Sequence, residues 1–312
     1  MRYYFAPMEG LTDSIYRRTH REFFPGVDSY YMPFISPTMH RTLTHRESRE
    51  LPPADSVNFR AVPQMLTKVP GDFIWAVHQC RDRGYDEVNL NCGCPSGTVV
   101  SKGKGSGMLN DPEQLDRFLE EVFGSSPLSV SVKTRIGMEN PDEFPRLLEV
   151  FNRYPIKELT VHPRTRRQFY NGEVDMQAFR YCLENSRNPV CFNGNLRTMS
   201  EVETFCAAYP SVEAVMIGRG LIGNPGMLHG VDAKTLEGFH DRLLEEYLVA
   251  FGGSRNAMFR LKENWRHMLL MFEDSEKLGK RLRKTTDLAE YRGIVREIFA
   301  TLPLRNELQA DW

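Results

Sequence analysis

The sequence predicts an α/β protein in which a (β/α)8 TIM barrel is followed by a small all-α helical domain. Short apolar runs rich in Val, Ile and Tyr alternate with longer helical segments, and this alternation stops near residue 232. Alternating strands and helices give parallel strands joined by crossover helices. Eight such units in about 230 residues fit a barrel, which typically takes roughly 250 residues.

The eight predicted strands are short. They cover residues 3–7, 28–35, 61–66, 86–91, 129–135, 157–162, 189–193 and 212–217. A doubly wound open sheet is the alternative, and it usually carries a GxGxxG fingerprint in its first strand-to-helix turn. Here that turn reads Pro7-Met8-Glu9-Gly10-Leu11-Thr12, which favours the barrel.

The helices between the strands have recognisable start and stop signals. The run Asp111-Pro112-Glu113-Gln114 places an N-cap before a proline and puts a glutamine at the third helical position. Residues 140–143 repeat this pattern as Asn-Pro-Asp-Glu. Gly84 is a suitable C-terminal cap for the first of three further helices. These are predicted over residues 71–83, 175–186 and 199–208.

Beyond residue 232, apolar residues repeat at helical spacing in three stripes that begin at Phe239, Met258 and Leu288. Gly252-Gly253-Ser254 separates the first two stripes. We interpret their aromatic and methionine side chains as core, because amphipathic helices bury such a stripe. The predicted boundaries are therefore 1–232 for the barrel and 233–312 for the helical domain.

Composition excludes several classes of protein. Of the 312 residues, 41% are hydrophobic and 26% charged, as in an ordinary folded protein. The net charge of -1 excludes a global basic field for nucleic acid but not a local basic patch. No apolar run approaches the roughly 18 residues of a membrane helix, and the first residues do not form a secretory signal. We expect a cytoplasmic monomer. The 6 cysteines include no CxxC pair, so we expect reduced thiols and no metal site.

Polar residues or glycine-rich turns lie at the ends of six predicted strands. They include Gln64, Asn91, Lys133, His162, Asn193-Gly194-Asn195 and Gly218-Arg219-Gly220. In a barrel of this kind the C-terminal strand ends meet on one face, where catalytic residues lie. We therefore expect these residues to form one shared site.

The last two strand endings favour a phosphate-containing ligand. Loops after strands seven and eight are the usual phosphate site of this barrel, and glycines let the backbone approach the phosphate. A positive charge at Lys133 beside an electron-rich ring suggests flavin mononucleotide, FMN. Cys94, between Gly93 and Pro95, is a candidate proton donor, because a thiol with a pKa of about 8.5 is mostly protonated at neutral pH. We interpret Cys92 as a buried, inert thiol.

Eight motifs occur in a specific order along the chain. They are Ala6-Pro7-Met8-Glu9-Gly10-Leu11-Thr12-Asp13, Pro63-Gln64-Met65, Asn89-Leu90-Asn91-Cys92-Gly93-Cys94-Pro95, Gly105-Ser106-Gly107-Met108-Leu109, Val132-Lys133-Thr134-Arg135, Val161-His162-Pro163-Arg164-Thr165-Arg166, Asn193-Gly194-Asn195 and Gly218-Arg219-Gly220. In order and separation they resemble the bacterial, FMN-dependent tRNA-dihydrouridine synthases. Three positions depart from the common pattern: Pro163 and Asn195 replace a frequent Gly and Asp, and residues 31–35 lack a frequent acidic residue.

The resemblance implies an oxidoreductase that reduces the C5–C6 double bond of selected uridines in tRNA. NADPH or NADH would reduce FMN, the flavin N5 would deliver hydride to C6, and Cys94 would protonate C5. Asn91 would lie beside flavin and substrate. The other cofactor-binding residues implied are Pro7, Met8, Glu9, Gln64, Lys133, His162, Asn193, Gly194, Asn195, Gly218 and Arg219.

Two groups of basic residues are candidates for contacting the tRNA partner. One, on the active face of the barrel, comprises Lys102, Lys104, Arg164 and Arg166. The other falls between predicted helices and comprises Lys280, Arg281, Arg283 and Lys284, with Lys277 beside them. Together they could follow RNA phosphates. A base stacked in an RNA helix cannot reach a flavin in the mouth of the barrel. The target uridine must therefore be splayed out of its RNA loop.

Two rival functions remain open from the sequence. One is an FMN-dependent barrel reductase of a free pyrimidine or an enone, which would need neither basic patches nor a helical domain. The other is a non-catalytic RNA-binding protein on the same fold. Cys94, Lys133 and His162 argue against a decayed site.

Overall fold

The computed structural model describes residues 1–310, and in that range nine parallel strands form a closed barrel. The strands are β1 (Arg2–Phe5), β2 (Ser29–Tyr31), β3 (Ala61–Val62), β4 (Gln64–Met65), β5 (Glu87–Cys92), β6 (Ser129–Arg135), β7 (Leu159–His162), β8 (Val190–Asn193) and β9 (Ala214–Ile217). Their spatial order is β3-β2-β1-β9-β8-β7-β6-β5-β4. The two outermost strands are neighbours in the chain, so the sheet closes and the barrel prediction is confirmed.

The single strand predicted over 61–66 is wrong in one respect, since Pro63 divides it into β3 and β4. Proline has no N–H to donate to a ladder. The residues before it pair with β2, where Tyr31 is opposite Val62, and those after it pair with β5, where Gln64 is opposite Asn89. The break therefore turns one extended segment from one neighbouring strand to the other.

Nine helices of the barrel region follow or connect the strands within the described residues. They are α1 (Ser14–Phe23), α2 (His45–Glu50), α3 (Pro70–Arg81), α4 (Gly97–Val100), α5 (Pro112–Ser125), α6 (Phe144–Phe151), α7 (Met176–Asn185), α8 (Met199–Ala208) and α9 (Arg219–Gly223). The predicted start of α5 is confirmed, because the Asp111 side chain accepts a hydrogen bond from the backbone N–H of Gln114. Gly84 has a φ of +84°, as expected for a residue that ends a helix.

Four α-helices follow the barrel within the described residues. They are α10 (Ala233–Phe251), α11 (Ser254–Met268), α12 (Glu276–Lys284) and α13 (Leu288–Thr301). Tyr16 of α1 packs edge to face on Phe239 of α10, with ring centroids 5.6 Å apart. The Tyr247 hydroxyl donates to Asp13 at 2.9 Å, so the helical segment is held against the barrel near its first strand-to-helix loop.

The basic residues placed between helices by the sequence analysis instead lie on a helix, α12. Leu278 and Leu282, four residues apart, are buried and fix this helix to its neighbours. Lys280, Arg281, Arg283 and Lys284, which we call the α12 cluster, are exposed on the other side. Among residues 1–310, no helix has the length and apolar character needed to cross a membrane.

Candidate active site

A central cavity opens at the C-terminal ends of the barrel strands and encloses about 970 Å³, part of it open to solvent. Of the predicted catalytic and cofactor-binding residues, all but Asn195 line it. They are Pro7, Met8, Glu9, Gln64, Asn91, Cys94, Lys133, His162, Asn193, Gly194, Gly218 and Arg219. Their sequence separation is large, and the barrel brings them together because parallel strands present their C-terminal ends on one face.

Amide side chains inside the barrel fix the floor of the cavity. Asn91 donates to the Gln64 side chain at 2.8 Å, Gln64 donates to Asn89 at 2.8 Å, and Asn89 donates to Ser131 at 2.9 Å. These four residues are buried, and hydrogen bonding compensates their burial. Gln64 and Asn91 are therefore held in fixed orientations where they line the cavity.

Three groups immobilise the backbone of the loop that carries Cys94. The Asn91 Oδ1 accepts hydrogen bonds from the N–H groups of Gly93 and Cys94, at 3.0 and 2.9 Å. Ser106 donates its backbone N–H and its hydroxyl to the Cys94 carbonyl, at 3.1 and 2.9 Å. The Arg135 Nε donates to the Gly93 carbonyl at 2.9 Å. The backbone that carries the Cys94 side chain is thus held by contacts from three separate elements.

The two cysteines of this loop differ in environment. Partial burial raises the pKa of Cys94, while the backbone N–H of Ser96 and the positive charges of Arg135 and Lys133 act in the opposite direction. The thiol is therefore protonated at neutral pH yet reaches the cavity. Cys92 is fully buried against Met108, and burial alone raises its pKa. The interpretation of Cys92 as a buried thiol is confirmed.

The cavity is strongly positive. Burial, and then the neighbouring Arg135, lower the pKa of Lys133 to about 8. Arg219 also lines the cavity, and its pKa is lowered by burial and by Arg164. Among the described residues that line the cavity, Glu9 is the one carboxylate, and it pairs with Arg46. An anionic ligand would relieve this repulsion between cations.

His162 is neutral. Burial lowers its pKa well below the ordinary value, and nearby cations, led by Arg135, lower it further. Its Nε2 lies 2.9 Å from an Nη1 of Arg164. Because a guanidinium can only donate, Nε2 is the acceptor and the imidazole proton is on Nδ1.

One predicted RNA contact is contradicted by this geometry. Arg164 is fully buried, and besides His162 it donates to the Gly172 carbonyl and to Asn195. It cannot reach an RNA phosphate at the surface. The remaining candidates of this group are more accessible: Lys102 is exposed, while Lys104 and Arg166 are half-buried.

Two glycine-containing loops form the side of the cavity predicted to hold phosphate. A Cβ on Gly194 would lie 2.3 Å from the Phe192 ring, and one on Gly220 would lie 2.4 Å from the Leu196 carbonyl. No side chain caps the first N–H groups of α9, which begins directly after Gly218. Backbone amides at a helix start next to cations fit a phosphate. Asn195 supports this side, since it accepts hydrogen bonds from Arg164 and Arg219.

Among the larger side chains that line the cavity, sequence reasoning missed Phe34 and Tyr170, and it gave Arg135 no role beyond its place at a strand end. Tyr170 is 45% exposed, and the guanidinium carbons of Arg135 and Arg219 lie 5.2 and 5.3 Å from the centroid of its ring. Arg135 belongs to a quoted motif, and its position two residues after Lys133 puts both on the inner face of β6. Tyr170 gave no signal beyond being an aromatic residue in a polar loop.

Comparisons with known proteins agree on one family. The family model for dihydrouridine synthase (Dus) matches residues 4–308. A probable tRNA-dihydrouridine synthase of Rhizobium leguminosarum bv. phaseoli is 28% identical over 249 residues, which are 78% of this chain and 76% of that protein. The tRNA-dihydrouridine(16) synthase of Escherichia coli (strain K12) is 30% identical over 238 residues, covering 73% and 74%.

A solved structure with a similar barrel is that of a morphinone reductase mutant in complex with tetrahydroNAD. It superposes with a TM-score of 0.50 at 10% identity, covering 72% of this chain and 85% of that one. At this identity the likeness shows the fold alone.

Proposed function

The chain belongs to the dihydrouridine synthase family, and we propose that it is a tRNA-dihydrouridine synthase with FMN as its cofactor and NADPH or NADH as the reductant. It reduces the C5–C6 double bond of specific uridines in tRNA. The observation that carries this proposal is the meeting of a protonated, immobilised Cys94 with Lys133, His162 and the two glycine loops in one positive cavity. One chain supplies the residues that line the cavity, so the chemistry needs no second subunit, and we propose a monomer.

The cavity residues fit a flavin phosphate. The loops at Gly194 and Gly218 and the Arg219 guanidinium would bind the phosphate end. Gln64, Lys133 and the Nδ1–H of His162 would contact the ring and the ribityl chain, with Pro7, Met8 and Glu9 along one wall. When bound there, a flavin would supply the hydride for C6 of the uracil. A fixed Lys133 charge favours the electron-rich ring that results from reduction.

Cys94 completes the reduction by donating its thiol proton to C5. The new C5–H bond uses the electron pair released from the C5–C6 double bond, and the thiolate left behind regains a proton from solvent. Arg135 and Lys133 stabilise that thiolate, since both act to lower the pKa of Cys94. Asn91 contributes by orientation, because it holds the two backbone N–H groups at the start of the Cys94 loop.

The helical region 233–312 orients the tRNA so that a splayed uridine enters the cavity. The α12 cluster provides exposed cations for phosphates, although Arg281 is also paired with Glu297 at 2.8 Å. Lys102, Lys104 and Arg166 provide further positive charge on the barrel's active face. This division assigns chemistry to the barrel and positioning to the helices.

The proposal is tested by incubating the purified protein with NADPH and bulk tRNA that lacks dihydrouridine, followed by nucleoside mass spectrometry. We expect dihydrouridine in tRNA and no reduction of free uracil. A protein that takes up no flavin, or that reduces free uracil in preference to tRNA, would contradict the proposal. Mapping the modified position then identifies the target uridine.

A further inference from the structure

A groove lies beside α11, away from the central cavity, and it combines positive charge with an exposed aromatic ring. Arg255, Phe259, Lys262 and Arg266 are spaced four, three and four residues apart, so they form one stripe along the helix. Arg283 of α12 faces them across the groove. Phe259 is 69% exposed, while its neighbour Met258 is buried.

The charge in this groove is poorly compensated by the protein. Four cations line it together with one carboxylate, Glu263, which is already paired with Arg266 at 2.9 Å. Within residues 1–310, neither Arg255 nor Arg283 forms an ion pair. Lys262 is fixed by its hydrogen bonds to the carbonyls of Arg283 and Thr285 at the end of α12. The groove is therefore complementary to a polyanion.

An isolated exposed apolar residue needs no explanation, but this ring lies in the middle of a row of cations. Aromatic rings that alternate with basic side chains are the usual platform for unpaired nucleotides, because every base has a face that stacks and phosphates follow at regular spacing. A protein partner of ordinary composition would not be selected by four cations around one ring.

α11, which lines one side of the groove, also contacts a loop at the barrel mouth through Arg260, a residue that does not line the groove. Arg260, next to Phe259, donates to the carbonyl of Gly10 and is 3.5 Å from Asp13, in the loop that follows β1. Met8 and Glu9 of that same loop line the central cavity. At its other side the groove ends on Arg283, a member of the α12 cluster.

We propose that this groove binds an unstacked nucleotide of the tRNA, with its base on the Phe259 ring and the flanking phosphates at Arg255, Arg266 and Arg283. The inference rests on the proposed function, since it needs tRNA as the substrate. It adds a second anchoring point, distinct from the uridine held in the barrel mouth.

The test compares Phe259→Ala and Phe259→Trp with a matched control, Tyr181→Ala, which removes an aromatic that is 36% exposed on α7 of the barrel. The binding of bulk tRNA lacking dihydrouridine is measured by fluorescence anisotropy across a salt titration. Phe259→Ala should weaken binding about 5- to 150-fold with an unchanged salt slope, because stacking is lost and no charge is removed. Phe259→Trp and Tyr181→Ala should bind like wild type.

A photocrosslinking phenylalanine analogue at position 259 locates the contact. We expect crosslinks to unpaired tRNA nucleotides. Crosslinks confined to base-paired stems, affinity of Phe259→Ala within twofold of wild type, or equal losses in Phe259→Ala and Phe259→Trp would each overturn the proposal. Flavin content and tRNA-independent NADPH oxidation should not change, since Phe259 does not line the cavity.

The outcomes separate this inference from the proposed function. If wild type forms dihydrouridine and Phe259→Ala binds tRNA equally well, the groove proposal alone fails. If wild type neither binds tRNA nor forms dihydrouridine, both fail.

Discussion

Replacing Glu158 by Gln should stabilise the protein at alkaline pH. Glu158 lies at the N-terminal end of the barrel, and its side chain is 5% exposed. Arg2 lies 3.3 Å from one carboxylate oxygen, and the Tyr4 hydroxyl donates to the same oxygen at 3.2 Å. The other oxygen is buried without a hydrogen-bond partner in the described part of the chain. Burial, the largest cause, raises the pKa of Glu158 from 4.5 to about 7.

The sign and size of the effect follow from proton linkage. The unfolded chain releases this proton near pH 4.5 and the folded protein near pH 7, so ionisation favours the unfolded state as the pH rises between them. Since one pKa unit corresponds to about 1.4 kcal/mol, the full cost above pH 7 is roughly 3 kcal/mol. A glutamine at this position would carry no charge at any pH, and it would avoid this cost. Arg2 is half exposed and keeps Glu213 as a second partner, so removing its ion pair with Glu158 costs little stability.

Urea unfolding at pH 4.5 and pH 8 measures this difference. We expect Glu158→Gln to match wild type near pH 4.5 and to exceed its free energy of unfolding by about 3 kcal/mol at pH 8. The control is Glu213→Gln, whose side chain is 81% exposed and which should stay within about 0.5 kcal/mol at both pH values. A gain that is independent of pH, or a loss at pH 8, would refute the reasoning. Dihydrouridine formation should be unaffected, because this end of the barrel is opposite the cavity.

Three further predictions concern the site. Cys94→Ala should bind FMN and oxidise NADPH normally but form dihydrouridine about 10²- to 10⁴-fold more slowly. Cys92→Ala should slow dihydrouridine formation much less. Equal losses in the two variants would show that Cys94 is not the acid. Lys133→Ala should retain flavin poorly or reduce it slowly. In the wild type, FMN affinity should fall from pH 7 to pH 9 as Lys133 loses its charge. The same fall in Lys133→Ala would contradict a role for the Lys133 charge in flavin binding. Neutralising the α12 cluster should weaken tRNA binding and leave NADPH oxidation intact. The slope of log affinity against log salt concentration should flatten by about one unit per lost phosphate contact. An unchanged salt titration would exclude a role for the cluster.

The sequence predicts the barrel and most of the cavity because both depend on local patterns. Strands and helices alternate, and the C-terminal end of a parallel strand faces the site wherever it lies in the chain. Local patterns do not predict which arginines are buried. Arg164 and Arg166 look equivalent in the sequence, yet Arg164 turns inward to Asn195, which is 31 residues away. Such a partner is brought near only by the closed barrel.

The missed helix α12 has a different physical explanation. Its nine residues include two buried leucines, Leu278 and Leu282, among charged residues. Because Leu278 and Leu282 are one helical turn apart, the segment does have an apolar face, but two residues are too few to form a stripe like those of the other three helices. A search for apolar stripes therefore passes over it. Tyr170 is a third case, because its environment consists of Arg135 and Arg219 from two other strand ends. No residue spacing within the loop of Tyr170 predicts its contacts with these two arginines.

The near-zero net charge of the chain conceals an uneven distribution of charge along the barrel axis. At the N-terminal end, four carboxyl groups and three cations surround one pocket, and Glu158, with a pKa of about 7, is only partly ionised at neutral pH, so positive and negative charges nearly balance there. At the C-terminal end, the cavity contains Lys133, Arg135 and Arg219, and its carboxylate is already paired. A protein with a charge of -1 can therefore present a positive face to a polyanion. The association rate with tRNA should consequently fall as ionic strength rises, because the field that steers the RNA is local to this face and is screened over about 10 Å at 0.1 M salt.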